Sequence, residues 1–144
     1  MSTKISKYFT LEELTYSDTA KKKNISNIPS EEHKQNLQRL ANEILDPIRE
    51  KFGQPIGINS GYRGPKLNAA VGGSKTSQHC NGAAADIRCK GSKAKLFRLI
   101  ESMIKNGEIK VGQLIWEYGT KQEPNWIHIS LPYTKVNNIL YIYS

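Results

Sequence analysis

Apolar residues recur at helical spacing over Leu37, Leu40, Ala41, Ile44, Leu45 and Ile48, which predicts the main helix of the chain. Ser30 precedes it as an N-cap, and Glu31 and Glu32 suit the positive end of the helix dipole. Pro47 interrupts the run late and predicts a kink or an early end, with Gly53 as the stop. Upstream, Thr10 and Glu13 form a T-x-x-E capping box for a short helix from Leu11 to Tyr16. The polar stretch Ser17 to Pro29 reads as a loop. His33, in the polar first turn of the main helix, reads as a solvated surface histidine.

The pattern then changes. Ile56 to Ser60 predicts a short strand that ends abruptly at the turn cluster Gly61-Tyr62-Arg63-Gly64-Pro65. Lys66 to Val71 suits a helical turn, and Ala84 to Cys89 a strand. Ser92 caps a second amphipathic helix, with Leu96, Ile100, Met103 and Ile104 on one face and an end at Gly107. Three more strands are predicted: Gln113 to Tyr118, Trp126 to Leu131 and Ile139 to Tyr143. Helices come early and strands cluster late, so the expected fold class is α+β, one domain with a mainly antiparallel sheet and flanking helices.

Length and composition narrow the partners. At 144 residues a single domain spanning 1–144 can bury a core without disulfide staples. No apolar run approaches the roughly 20 residues of a membrane span. The N-terminus lacks the apolar segment of a signal peptide, so the expectation is synthesis in the cytosol, with any export by another route. The net charge of +8 favours a polyanionic partner, although it also serves solubility. The lysines are scattered and no RNA-binding aromatic motif is present, so nucleic acid is not the expected partner. Cys80 and Cys89 have no zinc-finger spacing and are expected as free thiols, although a pairing stays open.

The candidate chemistry lies in Ser77-Gln78-His79-Cys80-Asn81-Gly82-Ala83-Ala84-Ala85-Asp86. An aspartate inside an Ala-Ala-Ala-Asp-Ile strand is costly to bury unless it is paired or holds a metal. Histidine and aspartate both suit zinc. A third ligand must come from elsewhere, and His128 in Trp126-Ile127-His128-Ile129-Ser130 is a candidate. Strand alternation puts Ile127, Ile129 and Leu131 toward the core, and Trp126, His128 and Ser130 the other way. Ala84, Asp86 and Arg88 share a face by the same rule, so Asp86 and His128 converge if the two strands are neighbours. Two histidines and one carboxylate leave a fourth position open, the catalytic rather than the structural pattern. Spacing alone does not separate this from ordinary hydrogen-bonded histidines.

Three blocks occur in order: Ser60-Gly61-Tyr62-Arg63; Ser77-Gln78-His79 with Gly82 and Ala85-Asp86-Ile87; and Trp126-Ile127-His128-Ile129-Ser130. Together they resemble the zinc D-alanyl-D-alanine carboxypeptidase family, whose relatives include phage L-alanyl-D-glutamate endolysins and the hedgehog signalling domain. The motif-bearing part covers 56–131, and Phe9 to Leu14 is similar to the opening of small phage and bacterial members. The resemblance implies a hedgehog-like fold, one zinc ion per chain held by His79, Asp86 and His128, and a peptidoglycan stem peptide as substrate. It implies that Arg63 binds an anionic or polarised substrate oxygen and that Ser77 contacts substrate, although Ser77 also reads as a plain loop cap. Tyr62 reads as a packing residue.

Many relatives place the general base three residues before the last histidine, where this chain has Asn125. An amide cannot serve, so we look to Glu117 at the end of the apolar run Gln113-Leu114-Ile115-Trp116-Glu117, or to Glu123 in a polar loop. Glu117 is favoured because a carboxylate there needs a reason. Glu123 reads as solvated, and the absence of any base stays open. The leading expectation is a monomeric murein peptidase, reaching the wall without a signal peptide by holin-type release. The rival is a non-catalytic zinc module of the same fold.

Overall fold

A computed structural model describes residues 3–74, 76–133 and 136–143. The elements run in the order α1 (Leu11–Thr15), α2 (Asp18–Lys22), α3 (Glu31–Leu40), a π turn (Ala41–Leu45), α4 (Asp46–Phe52), β1 (Ile56–Ser60), α5 (Pro65–Ala70), a 3-10 turn (Gln78–Asn81), β2 (Ala84–Cys89), α6 (Lys93–Lys105), β3 (Gln113–Glu117), β4 (Trp126–Ser130) and β5 (Asn138–Ile142). The fold is α+β, with one five-stranded sheet ordered β1-β2-β4-β3-β5. Three of the four strand pairs are antiparallel, and β5 lies parallel to β3 at the edge.

Two expectations about the helices needed correction. The loop expected from Ser17 to Pro29 contains α2, started by the Ser17 hydroxyl accepting from Ala20 N–H and anchored by the buried Ala20. The main helix neither ends nor is lost at Pro47. It passes through a π turn in which the Asp46 N–H bonds to Ala41 O, five residues back. The wider turn carries the chain past the donor that proline lacks. Ile44, Leu45 and Ile48 stay fully buried through it, so burial outweighs the local penalty. The expected stop at Gly53 is present, with φ 76°. The capping box is present too: Thr10 Oγ1 accepts from Glu13 N–H, and Glu13 accepts from Thr10 N–H.

The sheet has two unlike faces. Ala85, Ile87, Leu114, Trp116, Ile127 and Ile129 point into a core shared with α3, α4 and α6. On α6, Leu96, Phe97, Ile100, Met103 and Ile104 supply the matching stripe. The opposite face carries Asp86 and His128, whose shared side strand alternation predicted. Across the strands their row reads Ser60, Asp86, His128, Ile115 and Leu140 in direct register. No helix among the described residues is long and apolar enough to cross a membrane.

His33 is also corrected. It is half-buried, with its ring 5.6 Å from that of Tyr62, and its buried Nδ1 has no hydrogen-bond partner among the described residues. Tyr62 packs as expected and is buried. Cys80 and Cys89 are free thiols.

Candidate metal centre and active site

His79 reaches the site from a 3-10 turn between α5 and β2. The Ser77 hydroxyl caps this turn by accepting from His79 N–H at 3.2 Å, and Gly82 ends it with φ 72°. Asp86 and His128 are cross-strand partners on β2 and β4. Side chains directly opposite in a ladder share a face, which brings these two together. One carboxylate oxygen collects both histidines: Asp86 Oδ1 lies 3.3 Å from His79 Nε2 and 3.0 Å from His128 Nδ1.

Gly61 contributes through its backbone, a role that sequence reading did not assign to it. Its carbonyl lies 2.7 Å from His79 Nδ1. A carbonyl only accepts, so Nδ1 carries a proton, and in the neutral ring Nε2 presents its lone pair to Asp86. A lone pair aimed at a carboxylate is repulsive unless a cation lies between them. Only glycine fits at 61, because a Cβ there would stand 2.3 Å from Leu14 O. The one available sign was the glycine of the Ser-Gly-Tyr-Arg block.

Donor atoms of His79, Asp86 and His128 lie within 4.8 Å of one another, a group that could hold a metal ion. Tetrahedral zinc with ligands at about 2.0–2.1 Å needs donor separations of about 3.3 Å. The two separations to Asp86 fit that requirement. His79 and Asp86 are only 2% and 9% exposed, so the carboxylate sits where an uncompensated charge would be costly. Burial opposes its ionisation, but the two histidines against it, His128 foremost, outweigh burial and hold its pKa well below the usual carboxylate range.

The group lies in a cleft of about 850 Å³ that is also lined by Arg63, Ser77, Glu117, Tyr118 and Trp126. Among the described residues, Arg63 Nη1 and Nη2 make only long bonds, to Ser60 Oγ (3.4 Å) and Ser77 Oγ (3.5 Å), and its buried Nε has no partner. No ion pair among the described residues involves this guanidinium. Ser77 therefore combines the capping role with a place on the cleft wall.

Glu117 pairs with Trp126 in the β3–β4 ladder, while Ile115 pairs with His128. This puts Glu117 one diagonal step from His128 on the same face, where such neighbours lie about 7–8 Å apart. Burial is the main cause of its raised pKa, and the neighbouring Asp86 adds to the rise while His128 and His79 oppose it. Asn125 is exposed in the turn before β4, and its N–H bonds to Glu117 O. Glu123 is not the solvated side chain expected. It accepts from Ser92 Oγ, Lys93 N–H and Ala94 N–H, so it caps the start of α6. Those bonds outweigh partial burial and lower its pKa. Its position in a loop gave no sign of this.

Comparison with curated proteins finds no match. The profile of one family, described as Peptidase M15, matches residues 7–130 and so takes in α1, all three motif blocks and the complete His79–Asp86–His128 group. On that match the chain belongs to the peptidase M15 family, a family of metallopeptidases.

Proposed function

We propose that this chain is a zinc-dependent peptidase of bacterial cell-wall peptide, with His79, Asp86 and His128 as the metal ligands. The observation that carries the reading is the convergence of three donors, one of them a histidine whose tautomer is set by Gly61 O. Zinc held there supplies Lewis acidity at neutral pH. Glu117 is the general base: it takes a proton from the attacking water and passes it to the leaving amine. Its partial burial raises its proton affinity toward the range such a role requires. Arg63, with no anionic partner among the described residues, receives a substrate carboxylate or the developing oxyanion, and Ser77 steadies that contact.

The net charge of +8 suits an anionic wall polymer. The reading takes 1–144 as one catalytic domain acting as a monomer. It is made in the cytoplasm and reaches the wall by holin-type release. A second reading, a zinc-holding module without hydrolysis, draws on the exposed Asn125 at the position where many relatives carry the base. Zymography on purified peptidoglycan separates the two. The peptidase reading predicts a zone of clearing that disappears with chelator and returns with zinc. Stoichiometric zinc with no clearing and no released peptide would leave only the second reading.

A further inference from the structure

Tyr118 stands out in the cleft. It is a bulky aromatic residue at φ 58°, in the left-handed region that such side chains rarely occupy. Gly119 follows at φ 75°. Asn-Gly is the favoured sequence for two consecutive left-handed residues in a tight connection, so tyrosine is locally the wrong choice. It is not there to fill the core, because it is 41% exposed. Its ring meets that of Trp126 edge-on at 5.5 Å, and both rings line the cleft that holds the metal group. The buried Trp116 spends its indole N–H on Thr120 O, whereas Trp126 has no such bond among the described residues. A strained, exposed aromatic at a cleft is a sign of ligand contact.

We infer that Tyr118 and Trp126 form a subsite for a sugar ring of the glycan strand that carries the stem peptide. The inference rests on the reading of the site as a cell-wall peptidase. An edge-to-face aromatic pair on the cleft wall offers apolar surface to the C–H face of a pyranose, and a phenol O–H and an indole N–H can reach its hydroxyl and acetamido oxygens. Trp126 is two residues from His128 on one face of β4, a rise of about 7 Å. An extended peptide covers that distance in about two residues. A sugar at this subsite therefore places the cut bond near the glycan end of the stem rather than at its free end.

The test uses the zinc-loaded chain of residues 1–144. Hydrolysis of a muramyl peptide is compared with that of the same peptide without sugar. Binding of the free N-acetylglucosamine–N-acetylmuramic acid disaccharide is followed by tryptophan fluorescence. The expected result is a preference of about tenfold in kcat/KM for the sugar-bearing substrate. Tyr118→Asn should collapse this ratio toward one and weaken disaccharide binding, with a thermal midpoint held or raised because Asn accepts the left-handed backbone. Tyr118→Phe should keep most of the preference. Equal rates in the parent chain, a preference unchanged in Tyr118→Asn, or a lowered midpoint in that variant would overturn the subsite. If neither peptide is cut, the peptidase reading fails, and the disaccharide titration alone decides the subsite.

Discussion

Gly82→Ala is expected to destabilise the chain much more than Gly107→Ala, although both glycines have nearly the same backbone, φ 72° and 75°. An L-residue in the left-handed region costs about 1–2 kcal/mol. Restricting the unfolded chain returns roughly 0.4–1 kcal/mol of that. At Gly107 nothing lies within 4 Å of the added Cβ, so only this net cost of about 0.5–1 kcal/mol applies. At Gly82 the Cβ would stand 2.4 Å from His33 O and 3.1 Å from Leu37 Cγ. The oxygen belongs to the backbone of α3 and cannot rotate away. Forced overpacking adds about 1–3 kcal/mol, for a total of about 2–4 kcal/mol. At about 3 °C per kcal/mol for a chain of this size, the midpoint should fall by about 6–12 °C in Gly82→Ala and about 2–3 °C in Gly107→Ala. Paired thermal and urea unfolding measures both. Because Gly82 also ends the turn that carries His79, zinc affinity should drop in the first variant and hold in the second. Equal losses of stability in the two variants would refute the packing argument.

Four further outcomes are expected. Glu117→Gln should lower kcat by about 10²–10⁴-fold at unchanged metal content, read by peptide release and metal analysis. The base must be ionised, so activity should fall as the pH drops through the Glu117 pKa, which burial pushes up and a bound cation would pull down, and Glu117→Gln should remove that acid limb. In the metal-free chain the same shift has a stability consequence. The folded state holds this proton longer than the unfolded state, so the contribution is present at low pH and lost as pH rises through the folded pKa, and Glu117→Gln should remove that slope. Glu123→Ala should cost about 1 kcal/mol by uncapping α6 and leave zinc content unchanged, as urea unfolding with metal analysis would report.

Much of the site could be read before any coordinates, because strand alternation is strict. Once β2 and β4 are neighbours, Asp86 and His128 must share a face, and the ladder pairs them directly. That they are neighbours is a matter of sheet order, which local patterning does not contain. The parallel placement of β5 beside β3 is also invisible in a short apolar run. The two helix corrections have a common cause. Five residues of α2 show no readable period, and the proline rule at Pro47 yields to the burial of Ile44, Leu45 and Ile48. His33 and Glu123 read as solvated because their partners, Tyr62 and the start of α6, are about thirty positions away. The proposed base was the hardest to read. A carboxylate on β3 could replace one in the turn before β4 only through the Glu117–Trp126 register, which the sequence does not contain.

We propose above that the His79–Asp86–His128 group holds a metal that this chain uses to cut cell-wall peptide. Mass spectrometry of muropeptides after digestion tests it most directly, because it reports activity and the bond cut together. The zinc-loaded chain is predicted to convert intact stem peptides into a single new pair of fragments, and chelator or Asp86→Asn should abolish the conversion. An unchanged muropeptide profile with zinc bound, or the same fragments from Asp86→Asn, would contradict the account.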